Sequence, residues 1–148
     1  MSTTNSINIV ATSGAPLTAY NEFVSFTPTV SGTTVAGAGT YTTQAGRYTR
    51  IGNLIHITCN IVWTAHTGTG NLILTALPFT VRNQASYTPL ASVNTISVAW
   101  PAGADGIVGQ FTLNTTSMAL IVMRDNNTNL SIAMDTAGTL QVSGYYIT

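Results

Sequence analysis

Leu54-Ile55-His56-Ile57-Thr58-Cys59-Asn60-Ile61-Val62-Trp63-Thr64 alternates without interruption. Ile55, Ile57, Cys59, Ile61 and Trp63 fall on one side of an extended chain, and Leu54, His56, Thr58, Asn60, Val62 and Thr64 on the other. Successive side chains of a strand point to opposite faces, so this pattern predicts a sheet with a core on one side. The opposite set is mixed and uncharged, which fits contact with another subunit. Cys59 is the single cysteine, which excludes an intramolecular disulfide, and its alternation with Ile57 and Ile61 predicts a buried, inert thiol.

Outward from this stretch, β-branched and aromatic runs recur between clusters of Gly, Pro, Asn and Ser, the pattern of an all-β fold. Strands are predicted over Glu22–Thr29, Gly39–Gln44, Arg47–Thr64, Asn71–Ala76, Leu90–Trp100, Ile107–Leu113, Met118–Arg124, Asn129–Met134 and Thr139–Ile147. Thr67-Gly68-Thr69-Gly70 reads as a hairpin loop between two strands, and residues 101–106 and 125–129 carry turn chemistry. Met118–Met123 is apolar throughout and short enough for a buried strand. No segment has the periodicity of a helix, and no solenoid-length repeat appears. The uneven spacing favours a jelly-roll-like antiparallel β-sandwich over a propeller or β-helix. Residues 1–20 differ in character and are expected to form an N-terminal arm, with a short strand around Ile7, Ile9 and Val10, that grips a neighbouring subunit. Residues 21–148 form the sandwich domain.

Charge is scarce. Four arginines (Arg47, Arg50, Arg82, Arg124) and four acids (Glu22, Asp105, Asp125, Asp135) are all the chain has, with no lysine. Charged residues make up 5% of the sequence, against about a quarter in ordinary soluble domains. Thr, Ser, Asn and Gly supply the polar surface instead, which suits a protein packed against copies of itself or other subunits. Scattered arginines give no nucleic-acid footprint and no polybasic membrane patch. No apolar run approaches the ~20 residues of a membrane-spanning helix. Residues 1–6 lack the positive cluster and apolar stretch of a signal peptide, so the expectation is synthesis in a cytoplasm.

Catalytic chemistry finds little to work with. His56 and His66 are the only histidines and no paired-cysteine or HExxH motif accompanies them, so no metal or other cofactor is expected. His66, beside a Gly-rich loop, is expected to be exposed. A glycoside-hydrolysing carboxylate pair would have to come from Glu22, Asp105, Asp125 and Asp135, and the turn positions of the three aspartates suggest backbone hydrogen bonding instead. There is no GxSxG elbow and no phosphate loop. Three Asn-x-Ser/Thr triplets, at Asn114, Asn126 and Asn129, read as loop composition. The live binding candidates are aromatic: Tyr20, Tyr41, Tyr48, Trp63, Tyr87, Trp100, Tyr145 and Tyr146, any of which could stack on a sugar or fill a core or interface.

Ser25-Phe26-Thr27-Pro28-Thr29-Val30-Ser31-Gly32, followed by Tyr41-Thr42-Thr43-Gln44-Ala45-Gly46-Arg47-Tyr48-Thr49-Arg50-Ile51-Gly52-Asn53, resembles the opening of a C-terminal β-sandwich domain of bacteriophage and prophage tail fibres and related virion decoration proteins. Trp63, Gly68-Thr69-Gly70-Asn71 and Leu77-Pro78-Phe79 continue that pattern in order, over about residues 22–80. The resemblance implies a trimeric, jelly-roll-like sandwich on a virion without catalytic activity, with the motif residues structural. It carries over no receptor-contact residue. Tips of this kind follow a long shaft, whereas this chain begins only about twenty residues ahead of the motif, so a stand-alone subunit is expected. Together these readings lead to a non-enzymatic virion protein, made in a host cytoplasm: first a capsid decoration protein bound to the major capsid protein, second a tail-fibre tip that recognises a host surface glycan.

Overall fold

A computed structural model describes residues 20–148. The expected arm therefore lies outside the described residues apart from Tyr20, which opens the first strand. Ten strands follow in order: β1 (Tyr20–Phe26), β2 (Thr29–Gly32), β3 (Gly39–Ile51), β4 (Leu54–His66), β5 (Leu72–Thr75), β6 (Leu90–Ile96), β7 (Gly106–Phe111), β8 (Met118–Met123), β9 (Leu130–Ser131) and β10 (Gly138–Ile147). The described residues contain no helix. All strands join one curled antiparallel sheet in the order β1-β3-β4-β10-β6-β7-β8-β5-β2, with β9 added to β8.

The core is the concave side of this curl. Ile55, Ile57, Cys59, Ile61 and Trp63 of β4 are all buried, as their alternation predicts. They meet Leu140, Val142 and Tyr146 of β10, Leu72 and Leu74 of β5, and Met118, Leu120 and Val122 of β8. The indole Nε1 of Trp63 donates to the Asp135 carbonyl at 3.0 Å, so the largest buried side chain leaves no polar atom unmet.

Chain continuity makes the sheet curl. β1 and β2 are separated only by Thr27-Pro28, yet they lie at opposite ends of the strand order. Proline lacks an N–H for the ladder, so the segment leaves β3 at this corner and joins β5. Side chains then bind the two ends together. Gln44 Nε2 donates to the Pro28 carbonyl at 3.1 Å and Tyr41 Oη to the Val30 carbonyl at 3.2 Å. His66 Nδ1 accepts the Gly68 N–H at 2.9 Å, which leaves its hydrogen on Nε2, 3.2 Å from the same Val30 carbonyl.

Several sequence expectations need correction. Arg47–Thr64 is not one strand: Gly52-Asn53 turns the chain between β3 and β4, with Gly52 at φ 60°. Ala45-Gly46 is not a break but lies within β3, where glycine makes room for the Phe26 ring; a Cβ there would stand 2.6 Å from it. Glu22–Thr29 is interrupted by the Thr27-Pro28 corner. Thr67–Gly70 is not a hairpin loop, because β4 and β5 do not pair. It pairs instead with the β2–β3 connection, through Thr34 N–H and Val35 N–H to the Thr69 carbonyl and Thr69 N–H back to Val35. The strand expected over Leu90–Trp100 ends at Ile96, and that over Asn129–Met134 shrinks to Leu130–Ser131. His66 is buried, because its ring closes the seam.

Gly46 and Gly52 separate two reasons for a glycine. Gly46→Val is expected to lower stability by about 1–3 kcal/mol through overpacking against Phe26. Gly52→Ala, in open space, should cost only about 1–2 kcal/mol from left-handed backbone strain. Urea unfolding midpoints of the two variants, with unchanged slopes, check both values.

Candidate functional site

The outward side of β1-β3-β4-β10-β6 is a continuous surface of five neighbouring strands. Cross-strand register arranges its side chains in rows. Thr49, His56 and Tyr145 form one; Arg47, Thr58, Ser143 and Ser92 the next. Ala45, Asn60, Gln141 and Asn94 form a third; Thr43, Val62, Thr139 and Ile96 a fourth. At one end Tyr20, Ile51, Leu54 and Ile147 pair across four strands. Three of these are exposed apolar side chains, Tyr20 at 42%, Ile51 at 47% and Leu54 at 44%, and Tyr145 nearby is 59% exposed.

Arg47 is the one formally charged side chain in these rows. Its guanidinium lies 5.4 Å from the centre of the Phe23 ring and donates to Ser25 Oγ, so it is drawn toward β1. The His56 ring stacks on Tyr145 with centroids 4.5 Å apart and 28° between planes, and its Nε2 is 3.4 Å from Ser143 Oγ. Asn94 Nδ2 donates to Gln141 Oε1 at 3.0 Å. Asn60 Oδ1 is shut off from solvent and has no hydrogen-bond partner. An open furrow of about 300 Å³ runs between Gln141-Ser143 and Ser92-Asn94, and another of about 270 Å³ beside Ala45 and Asn60. Both are shallow features of a sheet face.

The eight aromatic candidates divide sharply. Trp63 and Tyr146 are in the core, and Tyr41, Tyr48 and Tyr87 are half-buried. Tyr48 meets Phe79 edge-on at 5.2 Å, and Tyr87 Oη accepts the Ile147 N–H at 2.8 Å. Tyr146 Oη donates to the Phe79 carbonyl at 3.1 Å, so the 77–89 connection is pinned over the end of β10. Tyr20, Trp100 and Tyr145 remain exposed. Trp100 donates to Thr95 Oγ1 near the end of β6 that pairs with Thr139, while Tyr145 lies toward the other end of β10. The three therefore form no single platform.

Two of the four acids are engaged by nearby backbone. Asp135 accepts the Thr136 N–H at 2.8 Å and the Ala99 N–H at 3.1 Å. Asp105, just ahead of β7, accepts the Asp125 N–H just beyond the end of β8. Glu22 lies on β1, at the register shift between Asn21 and Val24. Among the described residues no group of three or more His, Cys, Asp or Glu could hold a metal ion. Phe23 and the exposed apolar pair Ile51 and Leu54 belong to the outward face but were not singled out from the sequence as binding residues. The signal that could have found Ile51 and Leu54 is the Gly52-Asn53 turn, which makes them cross-strand neighbours.

No protein-family model, curated protein or solved structure matches this chain.

Burial raises three acid groups. The Cys59 thiol is pushed from 9.0 up to about 12, mainly by desolvation. Desolvation also raises the Tyr146 and Tyr41 phenols above 10.0, against the lowering effect of their bonds to the Phe79 and Val30 carbonyls. A thiol or phenol that resists ionisation when folded but ionises when unfolded withdraws stability as pH rises. Their contribution is therefore complete below pH ~9 and is lost progressively above it, through the thiol and then the phenols. Urea unfolding from pH 7 to 11 is expected to show this fall, and in Cys59→Ala its onset should move up toward pH ~10.

Proposed function

We propose that this chain is a non-enzymatic structural protein of a bacteriophage virion, and that its work is assembly. The observation that carries this reading is the outward face of β1-β3-β4-β10-β6, a broad sheet surface polar in composition, bordered by exposed apolar side chains and nearly free of charge. An isolated domain ordinarily intersperses charge over such a surface. Subunit contacts are poor in charge at their centre and tolerate aromatic and aliphatic side chains there. The curl that sets β4 and β10 against β5 and β8 supports a jelly-roll-like sandwich, and the sequence resemblance over residues 22–80 supports a homotrimer on a virion.

Among virion roles we favour a capsid decoration protein, which stabilises the shell by adding contacts between neighbouring capsid subunits. Anything that binds only the intact lattice shifts the equilibrium toward it by mass action. Residues 1–20 serve in this reading as the arm that grips a capsid neighbour. A tail-fibre tip that recognises a host glycan is the second reading, and one observation favours it: Tyr145, exposed and flanked by His56 and Ser143, offers a ring beside polar groups that could receive a sugar.

Virions labelled with an antibody to this chain separate the readings. Label spread over the shell, and loss of shell occupancy after deletion of residues 1–20, is the expected result. Label confined to the tail, with binding of purified protein to host cells, supports the tip instead. Absence from particles would overturn both.

A further inference from the structure

We infer that the outward face of β1-β3-β4-β10-β6 packs against a second copy of this chain, a step that rests on the assembly reading above and names its surface. Area agrees with this occupant. Five strands spaced ~4.8 Å apart, over the ten residues of β10 at ~3.3 Å each, cover roughly 800 Å². A standard interface takes about 800 Å² from each partner.

Charge points to a copy in preference to a foreign subunit. Copies arranged about a three-fold axis bring equivalent side chains near that axis together, and like charges brought together are strongly disfavoured. The rows from β3 to β6 avoid that conflict, because Arg47 is their single formal charge and its guanidinium turns toward Phe23 and Ser25. A different protein would gain orientation from complementary charge, and this face presents almost none to complement. Its polar groups suit self-contact instead: amides donate and accept at once, so rows of Asn and Gln can answer one another across an interface. Leu54, Ile51 and Tyr145 supply the apolar area that such a contact removes from water.

The test is the mass of the full chain in solution, by sedimentation or light scattering. Wild type is expected above monomer mass at ~10 µM, and Gln141→Arg/Ser92→Arg to associate at least ~100-fold more weakly. Both positions are exposed, so circular dichroism and the melting midpoint should be unchanged. Asn127→Arg, in the turn between β8 and β9, should keep the wild-type mass. Leu54→Ser/Tyr145→Ser weakens the same contact without adding charge, and gives an independent reading if the arginine variant fails to fold. Wild-type mass retained by folded outward-face variants overturns this surface while the assembly reading stands. A wild-type monomer even at ~100 µM overturns the contact between copies, while the virion reading is decided separately by labelling of particles.

Discussion

Burial of one side of β4 is the constraint on which the rest depends. Ile55, Ile57 and Ile61 are wholly enclosed, and β4 is paired along its length by β3 on one edge and β10 on the other. With both edges occupied and one face in the core, the strand has no freedom to slip. A shift by one residue would move His56, Thr58 and Asn60 into the core and expose the isoleucines. The same alternation therefore sets the outward face, and register carries that decision across to β3, β10 and β6. Core and candidate interface are two sides of one pattern.

The curl depends on a second, smaller constraint. Two residues, Thr27-Pro28, join strands that lie at opposite ends of the sheet order, so the ends must come together. One carbonyl, that of Val30, then receives both the Tyr41 hydroxyl and the His66 ring. A carbonyl oxygen has two lone pairs and can accept both. This explains why His66 is buried although it adjoins a glycine-rich loop. Burying an imidazole requires partners for its nitrogens, and Gly68 and Val30 provide them on either side.

What the sequence revealed follows from the range of the forces involved. The all-β class, the core side of β4 and the buried thiol of Cys59 depend on local alternation, which a single strand displays. Strand boundaries around Gly46 and Gly52 were misread because both glycines look alike in sequence. One makes room for a ring from a neighbouring strand, and the other takes a positive φ in open space. The non-pairing of β4 and β5 was invisible for a related reason: Thr67–Gly70 has hairpin composition, but Leu72 and Leu74 are committed to the far side of the core. The outward face was legible on β4 as an uncharged set. Its extent was not, because Tyr145, Gln141 and Asn94 join it through pairings distant in sequence.

A sheet face nearly free of charge, bordered by exposed Leu54 and Tyr145, is the surface on which the functional reading rests. Hydroxyl-radical footprinting across a concentration series tests it most directly. The account predicts that Leu54 and Tyr145 become protected as concentration rises, while Met123 and Leu130, exposed elsewhere on the sheet, keep their reactivity. Equal reactivity of Leu54 and Tyr145 at every concentration would contradict it.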